Sequence, residues 1–585
     1  MLAKIYQEAL SDQIGFNLTL QHLTVTPDKL AFRAIAEADH TLSSDLSLLL
    51  SSGLNEWSFP CILADDFCIF EGDLGIENLS VDASFIFSIK DRKYVWLTLM
   101  LDPSLPNDVW KWSNFFSGAF HSLPNFDLGK VCRSILNSAD VITPSSSANK
   151  FSSFLEFARS PDFVISLARL RHSSRFPSIL GGIDGHVIAS RLVSNWNLLL
   201  IQESQHRLLV FQGVTSCDAV FIPGLNILII LCHITHQQIS QCLEILSRTP
   251  DFFEQSNPSV FTGYLVGHSR PYHCNYDSLI ALQHILEEGE LSSDDALFSK
   301  GDEAFLNLSA ALGLPQEHQL RTRESLNELV QAQHGYLLQL GSLFYRAGHK
   351  PDSRSLLHAS HLDASLRQYS TVSSTIATSG ALALLEEFKP LIWIGVTGQK
   401  RCWLEQVNGV ANILNTLHFY YPNLGVVFDG WTPPLVNSDY HRKESRKDSR
   451  VIDRIIKRLR FRNQGCFGVI AGLPMLEKIR IGLSVDFFIT NYTSGSLNVA
   501  RICQKPGVGH MSCRMMDAKD QHIHHKTREV DPIFVQDQMV PNTSAGYINY
   551  SLPWQAVYNK LIPILKDLPI EPSQPLELLT IPGHH

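Results

Sequence analysis

None of the eleven cysteines in this 585-residue chain forms a Cys-x-x-Cys pair; they are scattered from Cys61 to Cys513. That spacing excludes a zinc ribbon and gives no disulfide framework, so reduced thiols in a cytoplasm are the expectation. An Asp-x-Asp triplet, which holds a divalent cation on a diphosphate in many transferases, is missing too. Long apolar runs are also lacking. The most apolar window, Ala219 to Ile234, is too short to span a bilayer and contains Pro223 and Gly224. The opening residues, MLAKIYQEALSDQIG, place acidic and polar groups where a signal peptide needs an apolar core. There is no excess of positive charge: 48 Lys and Arg stand against 57 Asp and Glu, a formal net charge of −9. The chain as a whole therefore has no electrostatic reason to bind nucleic acid or a membrane.

What is present describes an ordinary globular protein, with 44% hydrophobic and 18% charged residues. A chain of this length exceeds one hydrophobic core, and roughly two to four domains are expected. Four segments differ in texture. Residues 1–161 hold FNLTLQHLTV, KLAFRAIAEA, ASFIFSIK and KYVWLTLML, whose alternation predicts half-buried antiparallel strands in a β-rich accessory module. Residues 162–300 change to continuous apolar runs (NLLLIQ, RLLVFQGV, LNILIILC) followed by the helical HQQISQCLEILSR, the pattern of a first α/β domain with a covered sheet. Across 301–387 strands give way to a helical linker or insertion; LGSLFYRAG resembles half of a tetratricopeptide unit, without a second copy. Residues 388–585 carry KPLIWIGV, NLGVVFDGW, CFGVIAGLP, VDFFITN and KPGVGHM, five apolar strands bounded by Gly or Pro. Helix-length segments separate them and WQAVYNKLIPILKDL closes the series, which predicts a doubly wound Rossmann domain.

In open parallel sheets ligands bind beyond the carboxyl ends of the strands, where helix N-termini present free N–H groups. Thr493, Ser494, Gly495 and Ser496 occupy that place after VDFFIT. Gly495 would let a diphosphate approach the backbone, and the hydroxyls could donate to it; an ordinary N-cap is the plain alternative. The turns TGQKRCW and FDGWTPP add Gly398, Lys400 and Arg401 for phosphate charge, Asp429 for sugar hydroxyls, and Trp431 for stacking on a ring. In YLVGHSRPYHCNYDSLIALQHILEEG a strand-to-helix turn collects His268, Arg270, His273 and Asp277, where an acid–base residue would stand.

Downstream of Ser494-Gly495 come Asn498, Ala500 and Lys505-Pro506. This register is similar to the donor-binding segment of heptosyltransferase-type enzymes, in which a Ser-Gly pair is followed by His, Ala and Lys-Pro. Two positions depart from it: Thr493 stands for Asp and Asn498 for His. The chain resembles a glycosyltransferase of the two-Rossmann-domain type, called GT-B. The resemblance implies two Rossmann-like domains facing a cleft, with a nucleotide-sugar donor held on the second and a glycan, lipid-linked or protein acceptor on the first. Transfer would be inverting and metal-independent. His273 and Asp277 are then the catalytic candidates, His268 and Arg270 the acceptor side. Gly398, Lys400, Arg401, Asp429, Thr493 to Ser496, Asn498, Lys505 and His510 form the donor side. No cofactor, metal or nucleic acid is expected. The alternatives are a nucleotide-sugar epimerase of the same architecture and a non-catalytic carbohydrate- or partner-binding scaffold.

Two features stand apart. QHIHHKTREVD places His522, His524 and His525 together, and an exposed loop is favoured over a metal site there. HRKESRKDSRVIDRIIKRLRFR, residues 441–462, is strongly basic, but Val451, Ile452, Ile455, Ile456 and Leu459 recur at helical spacing. That predicts a helix packed on the sheet with a solvated cationic face; the alternative is a peripheral contact with anionic lipid at the inner face of a membrane.

Overall fold

The structure, a computed structural model, describes residues 136, 139–144 and 151–582. Outside the description within that span are 205, 223–224, 226, 233, 247–248, 250–251, 253–254, 256, 345–349, 373–383, 463–465, 493–495, 517–525 and 539–546. Before residue 101 it describes nine strands by their backbone: β1 Ile5–Gln7, β2 Leu18–Val25, β3 Lys29–Glu37, β4 Leu46–Ser52, β5 Asn55–Pro60, β6 Ile62–Ala64, β7 Phe67–Gly75, β8 Asp82–Ile89 and β9 Arg92–Met100. These form two antiparallel sheets, ordered β1-β2-β3-β7-β6 and β5-β4-β8-β9. The four alternating segments of the sequence coincide with β2, β3, β8 and β9.

By its contacts the chain divides into two compact units, Met1–Thr262 with Leu326–Leu338, and Gly263–Ser325 with Gln339–His585. The first contains a seven-stranded sheet of β10 Asp140–Ile142, β11 Arg175–Phe176, β12 Gly185–Val193, β13 Trp196–Glu203, β14 His206–Gln212, β15 Ala219–Ile222 and β16 Ile227–Ile230. Its order is β10-β16-β15-β14-β13-β12-β11, and every pair is antiparallel except β10 with β16. This corrects the expectation of a Rossmann-like parallel sheet here. The strands are linked by short connections, which permit only antiparallel neighbours; a parallel pair needs a long crossover. β13 is buried at nearly every position, which is why it reads as a fully covered strand.

A second correction concerns 301–387. β17 Val260–Leu265, β18 Leu297–Lys300, β19 His318–Arg321 and β20 Gly335–Gln339 make a sheet of order β19-β18-β17-β20, in which β17, β18 and β19 run parallel. Two of these strands lie in the segment expected to be helical. Residues 340–344, the start of the suggested tetratricopeptide helix, are not helical. A long helix, α1 Ser353–Val372, does follow.

The last third folds as read. β21 Leu391–Gly395, β22 Gly425–Asp429, β23 Phe467–Val469, β24 Phe487–Asn491, β25 Gly507–His510 and β26 Thr527–Glu529 form one parallel sheet, ordered β23-β22-β21-β24-β25-β26. Numbered from β21 the order is 3-2-1-4-5-6, the doubly wound arrangement with its switch point between β21 and β24. Both faces are covered. Ile392 and Ile394 of β21 enter one core with Ile413, Leu417 and Leu561, while Leu391 and Trp393 enter the other with Phe488 and Val499. The covering helices include α2 Gln406–Tyr420, α3 Asp439–Ile456, α4 Met475–Ser484 and α5 Trp554–Lys566. On α3, Ile452 and Ile455 are buried while Arg442, Lys443, Arg446 and Arg450 are exposed, so the apolar stripe packs inward and the cations are solvated. No described helix is long and apolar enough to cross a membrane.

Candidate active site

The turn after β17 is fixed by backbone geometry before any chemistry. Gly267 has φ +134°, and a Cβ there would lie 2.6 Å from the Glu303 carbonyl oxygen, so this position requires glycine. Its N–H donates to Ser278 Oγ at 2.8 Å, and the His268 N–H to Glu303 O at 3.0 Å. Pro271 then starts a helix, α-helical at Pro271–His273, π-type at Cys274–Leu279 and α-helical again at Ile280–Glu287.

Because the helix already runs at Pro271, His273 and Asp277 stand one turn apart and meet, with Nδ1 and Oδ2 separated by 2.6 Å. The Asp277 side chain is 1% exposed and that of His273 22%. With Nδ1 donating to the carboxylate, Nε2 is left as the acceptor, the orientation a general base requires. The His268 ring lies 4.6 Å from that of His273, and burial, helped by the charge of His273, holds it well below the usual histidine range. Arg270 is exposed and donates its N–H to His268 Nδ1.

Beyond the carboxyl ends of β21 and β22 lies a cavity of about 590 Å³ whose lining includes Arg270, Lys400, Arg401, Trp431, Tyr440 and Tyr547. Lys400 Nζ sits 4.4 Å from the Tyr547 ring centre. Burial and the nearby Arg270 and Arg401 push its ammonium down to about 8. Arg401 is lowered as well, first by burial and also by Arg270. Three cations thus converge on one cavity. None of them is paired with a carboxylate among the described residues, an arrangement suited to an anion of multiple charge. Asn491, at the end of β24, donates to Arg401 O at 3.4 Å, which puts Arg401 at the switch point. The aromatic side of the cavity is Trp431, stacked on His441 at 5.8 Å and edge-on to Tyr440 at 6.2 Å.

The remaining donor-side residues divide. Gly398 is on the loop after β21, its N–H held by Asp448. Thr493, Ser494 and Gly495 lie outside the described residues, as do His522, His524 and His525. Ser496 and Asn498 are buried at the start of the π-type helix Leu497–Ile502, and the Asn498 Oδ1 has no hydrogen-bond partner among the described residues. Three of the expected donor-side residues have other surroundings in the structure. Asp429 is fully buried against Lys478 Nζ at 2.6 Å; Lys478 also donates to Gly430 O, Trp431 O and Thr432 Oγ1, so the Asp429 carboxylate serves the loop and not a sugar hydroxyl. His510 is 4% exposed, bonded to Tyr550 Oη at 2.7 Å and edge-on to Trp403, and burial pushes it down to about 3, which makes it a neutral core residue. Lys505 precedes β25 and feels Asp486, just before β24, and Lys389, just before β21, so it stands at the amino edge of the sheet, opposite Lys400 and Arg401.

Sequence reasoning passed over Asp448, Lys478, Tyr440, His441 and Tyr547. Two of these had a signal. Asp448 falls on the buried stripe of α3 with His441, Glu444, Ile452 and Ile455, and Lys478 falls among Met475, Ile479 and Ile481 on α4. A lone charge at an apolar helical position is a buried charge with a partner.

Among the described residues no three His, Cys, Asp or Glu side chains gather as metal ligands. No protein-family model matches the chain, and no curated protein does. Among solved structures, the structure of E. coli ADP-heptose lps heptosyltransferase II is similar over 32% of this chain, with 14% identity and a TM-score of 0.23. The similar stretch spans 52%, about half, of that protein's chain, and says nothing of what the present one binds or transfers.

Proposed function

We propose that this chain is a glycosyltransferase that takes a sugar from a nucleotide-sugar, inverting the anomeric centre without a metal. The observation that carries the reading is the convergence of Arg270, Lys400 and Arg401 on one cavity at the carboxyl edge of a 3-2-1-4-5-6 sheet. The Ser494-Gly495 to Lys505-Pro506 register supports it from the sequence, although Lys505 itself is better placed as a structural residue. His273 Nε2, oriented by Asp277, takes the acceptor hydroxyl proton as the oxygen attacks the anomeric carbon. The bond from that carbon to the diphosphate breaks, and the three cations stabilise the charge left on the leaving oxygen.

The epimerase alternative needs cavity carboxylates for elimination chemistry. Of the carboxylates that line the cavity, Glu444 is paired with Lys447 and Asp448 is committed to backbone N–H groups, which leaves Asp302 alone for such chemistry. Calorimetry with uridine, guanosine, adenosine and cytidine diphosphates, followed by product analysis with the matching nucleotide-sugar, tests the proposal. Binding of one diphosphate and transfer that survives chelator are expected. His273→Ala should lower turnover about 10²–10⁴-fold with little change in diphosphate affinity. Parent-rate transfer in that variant would move the base elsewhere, and no diphosphate binding at all would leave the scaffold reading.

A further inference from the structure

Asp448 is 2% exposed and sits on α3 among the residues that line the cavity. Its Oδ1 accepts the Gly398 N–H at 2.7 Å and its Oδ2 the Trp431 N–H at 2.7 Å. The first belongs to the loop that carries Lys400 and Arg401, the second to the loop that carries the aromatic wall. One carboxylate therefore ties together two loops that β21 and β22 deliver separately. The fit is close: a Cβ on Gly430 would come within 2.7 Å of Asp448 Cβ, and one on Gly398 within 3.0 Å of Lys447 O.

We propose that Asp448 is the positioning residue of this site, holding the cationic loop and the aromatic loop in register so that they grip one anionic ligand together. It acts through the two N–H groups and does not touch the ligand. The inference rests on the transferase reading for the ligand's identity, but the loop clamp can be tested without it. Two acceptor oxygens are needed for two donors, and only the ionised carboxylate offers both freely. Burial pushes the Asp448 carboxyl up to about 6, against the pull of Gly398, Trp431 and Lys478. The charged and titratable groups around it are Cys402 on the cationic loop together with Lys400 and Arg401, Asp429 at the end of β22, Lys478 on α4, and His441, Glu444 and Lys447 on α3 itself. Below about pH 6 the clamp should open.

The test uses the full chain, with nucleoside diphosphates and inorganic pyrophosphate as probes. Asp448→Asn should weaken nucleoside diphosphate binding about 10- to 100-fold at pH 7.5, the usual scale when a group that orients ligand-binding residues is lost. It should also lack the acid limb of affinity that the parent has near pH 6, once the ligand's own titration, common to both proteins, is subtracted. Its Tm at pH 8 should be no lower than the parent's. A merely structural role predicts the opposite: a lower Tm and an unchanged pH profile; either that result or unaltered affinity overturns the proposal. Should the variant not fold, hydrogen exchange on the parent decides. The Gly398 and Trp431 amides should be protected at pH 8 and lose protection together at pH 5 while Ile452 on α3 keeps its own; protection at both pH values overturns the clamp. If the parent binds neither probe, the transferase reading falls while the exchange result still judges Asp448.

Discussion

Lys400 is the residue whose charge the site can least spare. Its ammonium is pushed down to about 8 by burial and by two guanidinium neighbours, so it loses its proton well before an ordinary lysine would. Affinity for a diphosphate should be high below pH 8 and fall as pH rises through it. The stability of the unliganded fold moves the other way between about pH 8 and 10.5, because the unfolded chain holds that proton longer. Lys400→Ala and Arg270→Ala should each weaken binding about 10- to 100-fold, the scale of one charge-assisted hydrogen bond, and Lys400→Ala should erase the alkaline limb in calorimetry. Asp448 supplies the other limb. Its carboxyl is raised from 3.8 to about 6, so keeping it ionised costs the fold about 3 kcal/mol, a cost that sets in as pH rises between those values. The Asp429–Lys478 pair is different: both side chains are fully buried and each is the other's charge partner. Lys478→Met alone should destabilise by about 3–5 kcal/mol, whereas the double change to Met and Leu should recover most of the loss, as thermal melts would record.

At the scale of elements, the turn from β17 into its helix carries the His273–Asp277 pair, and Gly267 is its tightest point. Gly267→Ala would meet both a positive φ and a carbonyl oxygen at 2.6 Å; a drop of about 2 kcal/mol or more in stability is expected, with turnover lost faster than diphosphate binding. Denaturant titration beside initial rates would check the split. What the sequence made legible follows from physics of the same kind. β21, β22, β24 and β25 are short apolar runs closed by Gly or Pro and separated by helix-length spacers, and no other element pattern fits that. β26, only three residues long, was too short to register. β13 misled because burial on both faces erases the alternation by which an antiparallel strand is recognised. GYLLQ went unread as a strand because it runs straight into LGSLFYRAG, and a continuous apolar run looks alike in either state; only the fold makes β20 of it. The sequence placed His273 with Asp277 on one turn and Lys400 with Arg401 on another, and both turns are where the structure has them. It failed at Lys505, where similarity of register said nothing about which edge of the sheet a residue occupies, and at Asp448, where a basic run hid a single buried acid.

At the scale of the whole molecule, the cores around the six-stranded sheet draw almost entirely on residues from 385 onward. A fragment from residue 384 to 585 should therefore unfold cooperatively in urea, yet bind nucleoside diphosphate more weakly than the full chain, since Arg270 is left behind; a molten fragment would show that the sheet depends on what precedes it. The first unit is built otherwise. It takes in a late segment of the chain, Leu326–Leu338. Asn327 brackets the backbone of Leu192 with hydrogen bonds of 2.8 and 3.0 Å, Leu337 O receives the Asn197 amide at 2.8 Å, and Tyr336 Oη reaches Arg171 O at 2.7 Å. These partners lie 135 to 165 residues apart along the chain. On a ribosome adding about 5–20 residues per second, Asn197 waits on the order of ten seconds or more for Leu337 to emerge, its amide meanwhile holding only the bond to Gln212 Oε1, 2.8 Å away. The nascent first unit is thus unfinished for that interval: the backbone of Leu192 lacks its Asn327 bracket and Arg171 O lacks the Tyr336 hydroxyl until the chain has grown well past the unit's own strands.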